Sequence, residues 1–185
     1  MKNFIPIILL SFLFSCATTP SAPKVDFNNV DSVTAGIEII IDEYKKTKTI
    51  SGPIFTSPNQ VGSFFGQPIV LSDGKQVRLV SKFNNDELTT LYIELKDIYQ
   101  GEWRYYGSAT DRDGKEMNFQ KVDSKVGSCV QGCNLVEKVR ISINLDYLKS
   151  MRNRGIDIQV YGQRGGSKII LSQQYVEGFL SYLNQ

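Results

Sequence analysis

The chain has 185 residues, 41% hydrophobic, 11% aromatic and 22% charged, the composition of a folded domain and not of a disordered tail. Its 21 Lys plus Arg against 19 Asp plus Glu leave a formal charge of +2, too balanced to track phosphates by bulk electrostatics, so nucleic acid is not expected as a partner. The absence of histidine removes the commonest general base and metal ligand, and with them every Ser-His-Asp and Cys-His mechanism.

At the N-terminus Lys2 precedes a stretch, 4–14, that is apolar except for Pro6 and Ser11 and ends against Ser15. This is the pattern of a secretory signal. Crossing a bilayer takes about 20 apolar residues, so the segment is too short to remain as a membrane helix. The junction Leu13-Phe14-Ser15-Cys16 resembles the lipobox of bacterial lipoproteins, with Phe14 bulkier than the Ala, Ser or Thr usual there. That resemblance implies that residues 1–15 are removed and that Cys16 becomes the first mature residue. It would then carry acyl chains such as palmitate and take the membrane as a partner. By the sorting behaviour of that family, Ala17 in place of an Asp implies the outer membrane, with the domain facing the periplasm or displayed at the cell surface. In its lipobox and β-rich body the chain resembles many small bacterial envelope lipoproteins of unassigned role, and no narrower family.

Residues 16–29 contain Pro20, Ser21, Pro23 and Asn28-Asn29 without an apolar period, and read as a tether. Residues 30–185 suit one domain, with no internal repeat or second linker. Ile37, Ile39 and Ile41 alternate; a helix would use Ile37, Ile40, Ile41 and Tyr44, but the β-branched run favours a strand. Period two recurs as Val77, Leu79, Ser81 and Phe83, then as Leu91, Ile93 and Leu95, each set the buried face of a strand. Trp103, Tyr105, Gly107 and Ala109 form a further set, with Arg104, Tyr106 and Ser108 opposite. Asp113-Gly114 supplies turn chemistry before a strand from Met117 to Val122. Val139, Ile141 and Ile143 follow, then Ile156, Ile158 and Val160. Asn144 is placed to cap a short helix through Leu145, Leu148 and Met151 that stops at Gly155. A terminal helix after Ser172 aligns Val176, Phe179, Leu180 and Leu183. The expected architecture is mainly β: an antiparallel β-sandwich or partly open barrel with one short internal helix and a C-terminal helix.

Few residues suggest chemistry. Cys129 and Cys133, separated by Val130-Gln131-Gly132, are expected to form a structural disulfide in an oxidising compartment. Three intervening residues in a β context do not suit a thioredoxin-like pair, and two thiols without His leave a metal short of ligands. Asp111, Asp113 and Glu116 sketch a calcium loop, but Arg112 and Lys115 interrupt it and a hairpin turn fits better. The same Thr110-Asp111 segment resembles the Thr-Asp-x-x-Gly stretch of outer-membrane-protein-A-like peptidoglycan binders, yet strand-like residues follow where that family has a helix. Gly162 to Lys168 is glycine-rich but joins two strands, which suits a hairpin tip and not a phosphate loop. Asp86, Glu87, Glu102 and Glu137 are carboxylates available for an acid pair. Trp103, Arg104 and Tyr106 belong to the densest aromatic and basic cluster and form the candidate binding surface.

The expected function is therefore that of a non-enzymatic, membrane-anchored envelope lipoprotein whose β-domain binds another envelope component, with a protein as partner. No cofactor or metal is called for. The rival readings are a carboxylate-dependent envelope hydrolase, which needs two carboxylates in a concave site, and a β-barrel holding lipid or another small ligand.

Overall fold

The computed structural model describes residues 25–58, 62–64, 67–69, 74–129 and 132–183. The expected signal segment, Cys16 and most of the expected tether lie outside them. In chain order the elements are α1 (Val30–Ala35), β1 (Glu38–Asp42), β2 (Thr47–Ser51), β3 (Phe55–Pro58), a small hairpin of β4 (Gly62–Phe64) and β5 (Gln67–Ile69), β6 (Gly74–Asn84) and β7 (Glu87–Tyr99). Then come β8 (Tyr106–Asp111), β9 (Asn118–Val126), β10 (Leu135–Ser142), α2 (Leu145–Ser150), β11 (Ile156–Gly162), β12 (Gly165–Leu171) and α3 (Gln173–Leu183).

A seven-stranded sheet runs β1-β2-β6-β7-β10-β9, with β3 also on β6, and a three-stranded sheet runs β12-β11-β8. Pairing is antiparallel throughout. The large sheet ends at β1 on one side and β9 on the other, so it is not closed into a barrel, in keeping with the expected sandwich. The expected alternation supplies the core. Val77, Leu79 and Phe83 of β6, Leu91, Ile93 and Leu95 of β7, and Val139 and Ile141 of β10 share one buried cluster with the inward residues of β11 and β12. Val176, Phe179 and Leu180 of α3 complete it. An open groove of about 550 Å³ lies at the surface between Val25, Phe27, Phe55, Ile170 and Tyr175.

The helices follow their capping chemistry. Asn144 accepts the Tyr147 N–H at 2.7 Å at the start of α2, and Ser172 Oγ accepts the Tyr175 N–H at 3.1 Å at the start of α3. Gly155 takes φ +71° just beyond α2, and a Cβ there would lie 2.4 Å from the Leu171 carbonyl oxygen. Helix α1 was not expected: Asn29 caps it through the Ser32 N–H at 2.9 Å, and Val33 buries itself where a Cβ on Gly178 would meet it at 2.9 Å. Val25 and Phe27, read from sequence as tether, pack against the core, Phe27 with its ring centre 5.1 Å from Phe55 and 5.9 Å from Tyr175. No described helix is long and apolar enough to cross a membrane.

β6 changes partner midway, from β2 at Val80 to β3 at Val77. The Tyr175 side chain of α3 enters this junction. Its hydroxyl donates to the Pro53 carbonyl at 2.7 Å and accepts the Leu79 N–H at 3.3 Å. Gly52 makes room, since a Cβ there would stand 2.4 Å from the Tyr175 oxygen.

The expected strand across Trp103 to Ala109 needs correction. Tyr105 has φ +52°, incompatible with a strand, and β8 begins only at Tyr106. Ser108 then opposes Tyr161 while Tyr106 opposes Gly162, which leaves Gly107 as the extra residue of a β-bulge. The bulge reverses the alternation, so Tyr106 and Ala109 both point into the core.

Candidate functional site

The apolar inward face of β7 does not stop at Leu95; it continues as Asp97 and Tyr99. Glu137 of β10 stands directly opposite Asp97 in the ladder. Two carboxylates are thereby buried side by side, Asp97 at 0% and Glu137 at 1% exposure. Burial of a charge is costly unless it is paired and hydrogen-bonded, and the residues after β7 supply the partners. Arg104 Nη1 reaches Asp97 Oδ2 at 2.7 Å, and the Tyr106 hydroxyl donates to the same oxygen at 2.5 Å. The Arg104 guanidinium also lies 4.1 Å over the Tyr99 ring and donates to the Tyr106 hydroxyl at 2.9 Å. Tyr99 donates to Glu137 Oε2, and its hydroxyl accepts the Arg104 backbone N–H at 3.0 Å. Burial, reinforced by the Glu137 hydrogen bond, pushes the Tyr99 hydroxyl well above the ordinary tyrosine range. Burial and the Asp97 charge do the same to Tyr106. Both phenols stay protonated as donors.

The network fastens the loop between β7 and β8 over one end of the sandwich. From outside, the Arg104 carbonyl accepts the Arg164 N–H at 3.2 Å, and Arg164 pairs with Glu102 at 2.8 Å. Gly162 permits this approach, because a Cβ there would lie 2.2 Å from the Arg104 carbonyl oxygen. Beside the loop, a disulfide joins Cys129 to Cys133 at the β9–β10 turn. Gln100 reaches across to Asn134 at 3.2 Å, and Asn134 in turn closes that turn through Gly127 and Ser128. The bridged loop spans few residues, so replacing both cysteines with Ser should cost only about 2 kcal/mol in urea unfolding under oxidising conditions. No change in the reduced protein is the matching expectation.

Of the residues singled out from sequence, Trp103 is half-buried, Arg104 is partly buried and bonded through Nη1 to Asp97 and Tyr106, and Tyr106 is 3% exposed. Tyr106 is thus a core group with no free face for a partner. The neighbouring Tyr105, 43% exposed, takes the outward position, held in the left-handed region that a non-glycine residue adopts at a cost. Of the carboxylates, Asp86 and Glu87 sit at the opposite end of β7 from Asp97, Glu102 is tied to Arg164, and only Glu137 joins the buried pair. Asp97 and Tyr99 were missed, although the signal was present: polar residues in register with Leu91, Ile93 and Leu95. Asp111 and Asp113 shape a turn, with Asp111 Oδ1 accepting the Asp113 and Lys115 N–H groups at 3.0 and 2.9 Å and Asp113 paired to Arg154 at 2.5 Å. Gln163 and Arg164 form the two-residue tip of the β11–β12 hairpin. With both buried carboxylates closed to solvent and committed to tyrosine and arginine donors, this cluster positions a loop; it offers no cleft for an acid pair.

The opposite face of the large sheet carries a second charge cluster. Glu94 lies between Arg78 on β6 and Arg140 on β10, bonded to Arg78 at 2.9 Å and Lys138 at 2.9 Å, with Arg140 at 3.7 Å. Burial works against its ionisation, but the Lys138 hydrogen bond and the Arg78 charge outweigh it and hold its carboxyl below the ordinary value of 4.5. A depressed folded-state pKa contributes stability above the unfolded pKa, lost as pH falls through the lower folded value. Acid unfolding below about pH 4.5 should therefore be shallower in Glu94→Gln than in the native chain. At neutral pH that variant should lose about 1 kcal/mol, since three cations keep no common counter-charge. Equal acid profiles would contradict this.

Comparison with known proteins gives no match to any family model, curated protein or solved structure. The class is that of an antiparallel two-layer β-sandwich with a loop stapled over one end.

Proposed function

We propose that the chain is a lipoprotein of the bacterial envelope, anchored in the outer membrane by acyl chains on Cys16, whose β-sandwich binds another envelope component, a protein, without catalysing a reaction. The domain faces the periplasm or is carried at the cell surface. The observation that carries the reading is the Leu13-Phe14-Ser15-Cys16 box behind a short apolar signal. The Cys129–Cys133 bridge supports an extracytoplasmic setting, because such bonds persist in oxidising compartments. The rigid mounting of the 100–105 loop supports a binding role for its aromatic residues. Trp103 and Tyr105 are presented without the entropy cost of ordering a free loop at each encounter. Eight residues lie between Cys16 and Val25, a reach of about 30 Å from one to the other when extended at roughly 3.3 Å per residue step, which keeps the body close to the lipid surface.

A photo-reactive residue in place of Tyr105, in intact cells, tests both halves. The otherwise native chain should stay in the membrane pellet through high salt and give one discrete adduct. With Cys16→Ser added, it should move to the soluble fraction and lose the adduct. A soluble native chain would remove the anchor, and absence of any adduct would remove the binding role of this loop.

A further inference from the structure

Packing leaves one strand unexplained. β1 is an edge of the seven-stranded sheet, so the backbone groups on its free side meet no strand among the described residues. Ile39, Ile40 and Ile41 follow one another along it at 43, 56 and 64% exposure, and Tyr44 beyond them is 99% exposed. Side chains alternate along a strand, so both faces of this edge are apolar. Ile39 extends the face bearing Ile50, while Ile40 stands beside Thr49 on the other. Exposed sheet edges are ordinarily blunted by Lys, Pro, a bulge or a cover, since an open apolar edge recruits other strands. The opposite edge obeys this rule: β9 carries Lys121, Asp123 and Lys125, all exposed. β1 has charges only at its ends, Glu38 and Asp42, and both are acidic.

Those ends decide what can pair there. A second copy of the chain, antiparallel and centred on Ile40, would set Glu38 opposite Asp42 twice; a parallel in-register copy would set Glu38 against Glu38. Like charges directly opposite destabilise a strand pair. Lys45 meets Asp42 only at 3.8 Å with both side chains exposed, too weak a pair to cancel the repulsion. We infer that β1 accepts a strand from another protein, a branched apolar segment flanked by Lys or Arg, which extends the seven-stranded sheet by one strand. This surface is separate from the aromatic loop, and the inference holds whatever becomes of Cys16.

The test uses the full chain with two capped heptapeptides, three valines between pairs of lysines or between pairs of glutamates. The lysine peptide should bind at least tenfold more tightly, and Ile40→Lys should abolish its binding without moving the unfolding midpoint. In sedimentation the native chain should be a monomer. Glu38→Lys, which turns the repulsion into two Lys–Asp pairs between copies, should produce a dimer that dissociates in high salt. Equal affinity for the two peptides, a native dimer joined through β1, or a monomeric Glu38→Lys variant would each overturn the inference.

Discussion

Arg104→Ala should lower the stability of the domain by about 3 to 5 kcal/mol, the usual cost of removing one partner from a buried ion pair. Asp97 is fully buried and its Oδ1 has no hydrogen-bond partner among the described residues, so compensation of its charge runs through Oδ2, where Arg104 and the Tyr106 hydroxyl converge. Without the guanidinium the carboxylate keeps a single neutral donor. For a domain of this size each kcal/mol shifts the melting temperature by roughly 2 to 4 °C, so a fall of about 6 to 20 °C is expected. The 100–105 loop should also open, read as faster amide exchange from Gly101 to Tyr105. Replacing Asp97 and Arg104 by Leu together with Tyr106→Phe removes both charges and the hydroxyl that served them, and should restore much of the loss, because an apolar cluster carries no desolvation cost. A single variant within 0.5 kcal/mol of the native chain would mean that the pair does not hold the loop.

Tyr175→Phe should be the most damaging loss of one oxygen, at about 2 to 4 kcal/mol. Its hydroxyl satisfies the Leu79 N–H and the Pro53 carbonyl where β6 passes from β2 to β3. Each group left buried and unpaired costs about 1 to 3 kcal/mol. The urea midpoint should drop with an unchanged slope, since the surface exposed on unfolding is the same. Tyr147 is the internal control. Burial, with the Asp111 charge behind it, pushes its hydroxyl up to about 12, and that oxygen is buried without a hydrogen-bond partner among the described residues. Tyr147→Phe should therefore be neutral or slightly stabilising. Similar losses in the two variants would contradict the bridging role of Tyr175.

The strands were legible because half-buried strands write their period into the sequence. Leu79, Ile93, Ile141 and Ile158 stand on the inward faces their spacing assigns, and Asn144, Gly155 and Ser172 mark helix ends through chemistry that needs no tertiary context. Helix α1 was hidden because its six residues bury a single side chain, Val33, too little to set a period. Tyr106 was misplaced because a bulge and a left-handed Tyr105 reverse the alternation, and neither residue type announces that geometry. The buried pair Asp97 and Glu137 depends on which strands become neighbours. β7 and β10 lie about 40 positions apart in the chain, and only the sheet order brings their carboxylates together. Nothing in β1 by itself distinguishes an exposed edge from a core strand; its exposure follows from its place at the end of the sheet.

The central claim concerns the thiol of Cys16, and the most direct measurement is the mass of the N-terminal peptide of the protein purified from its own cells. The account predicts a chain that begins at Cys16 and carries covalently attached fatty acyl chains. A peptide beginning elsewhere, or an unmodified Cys16, would contradict it.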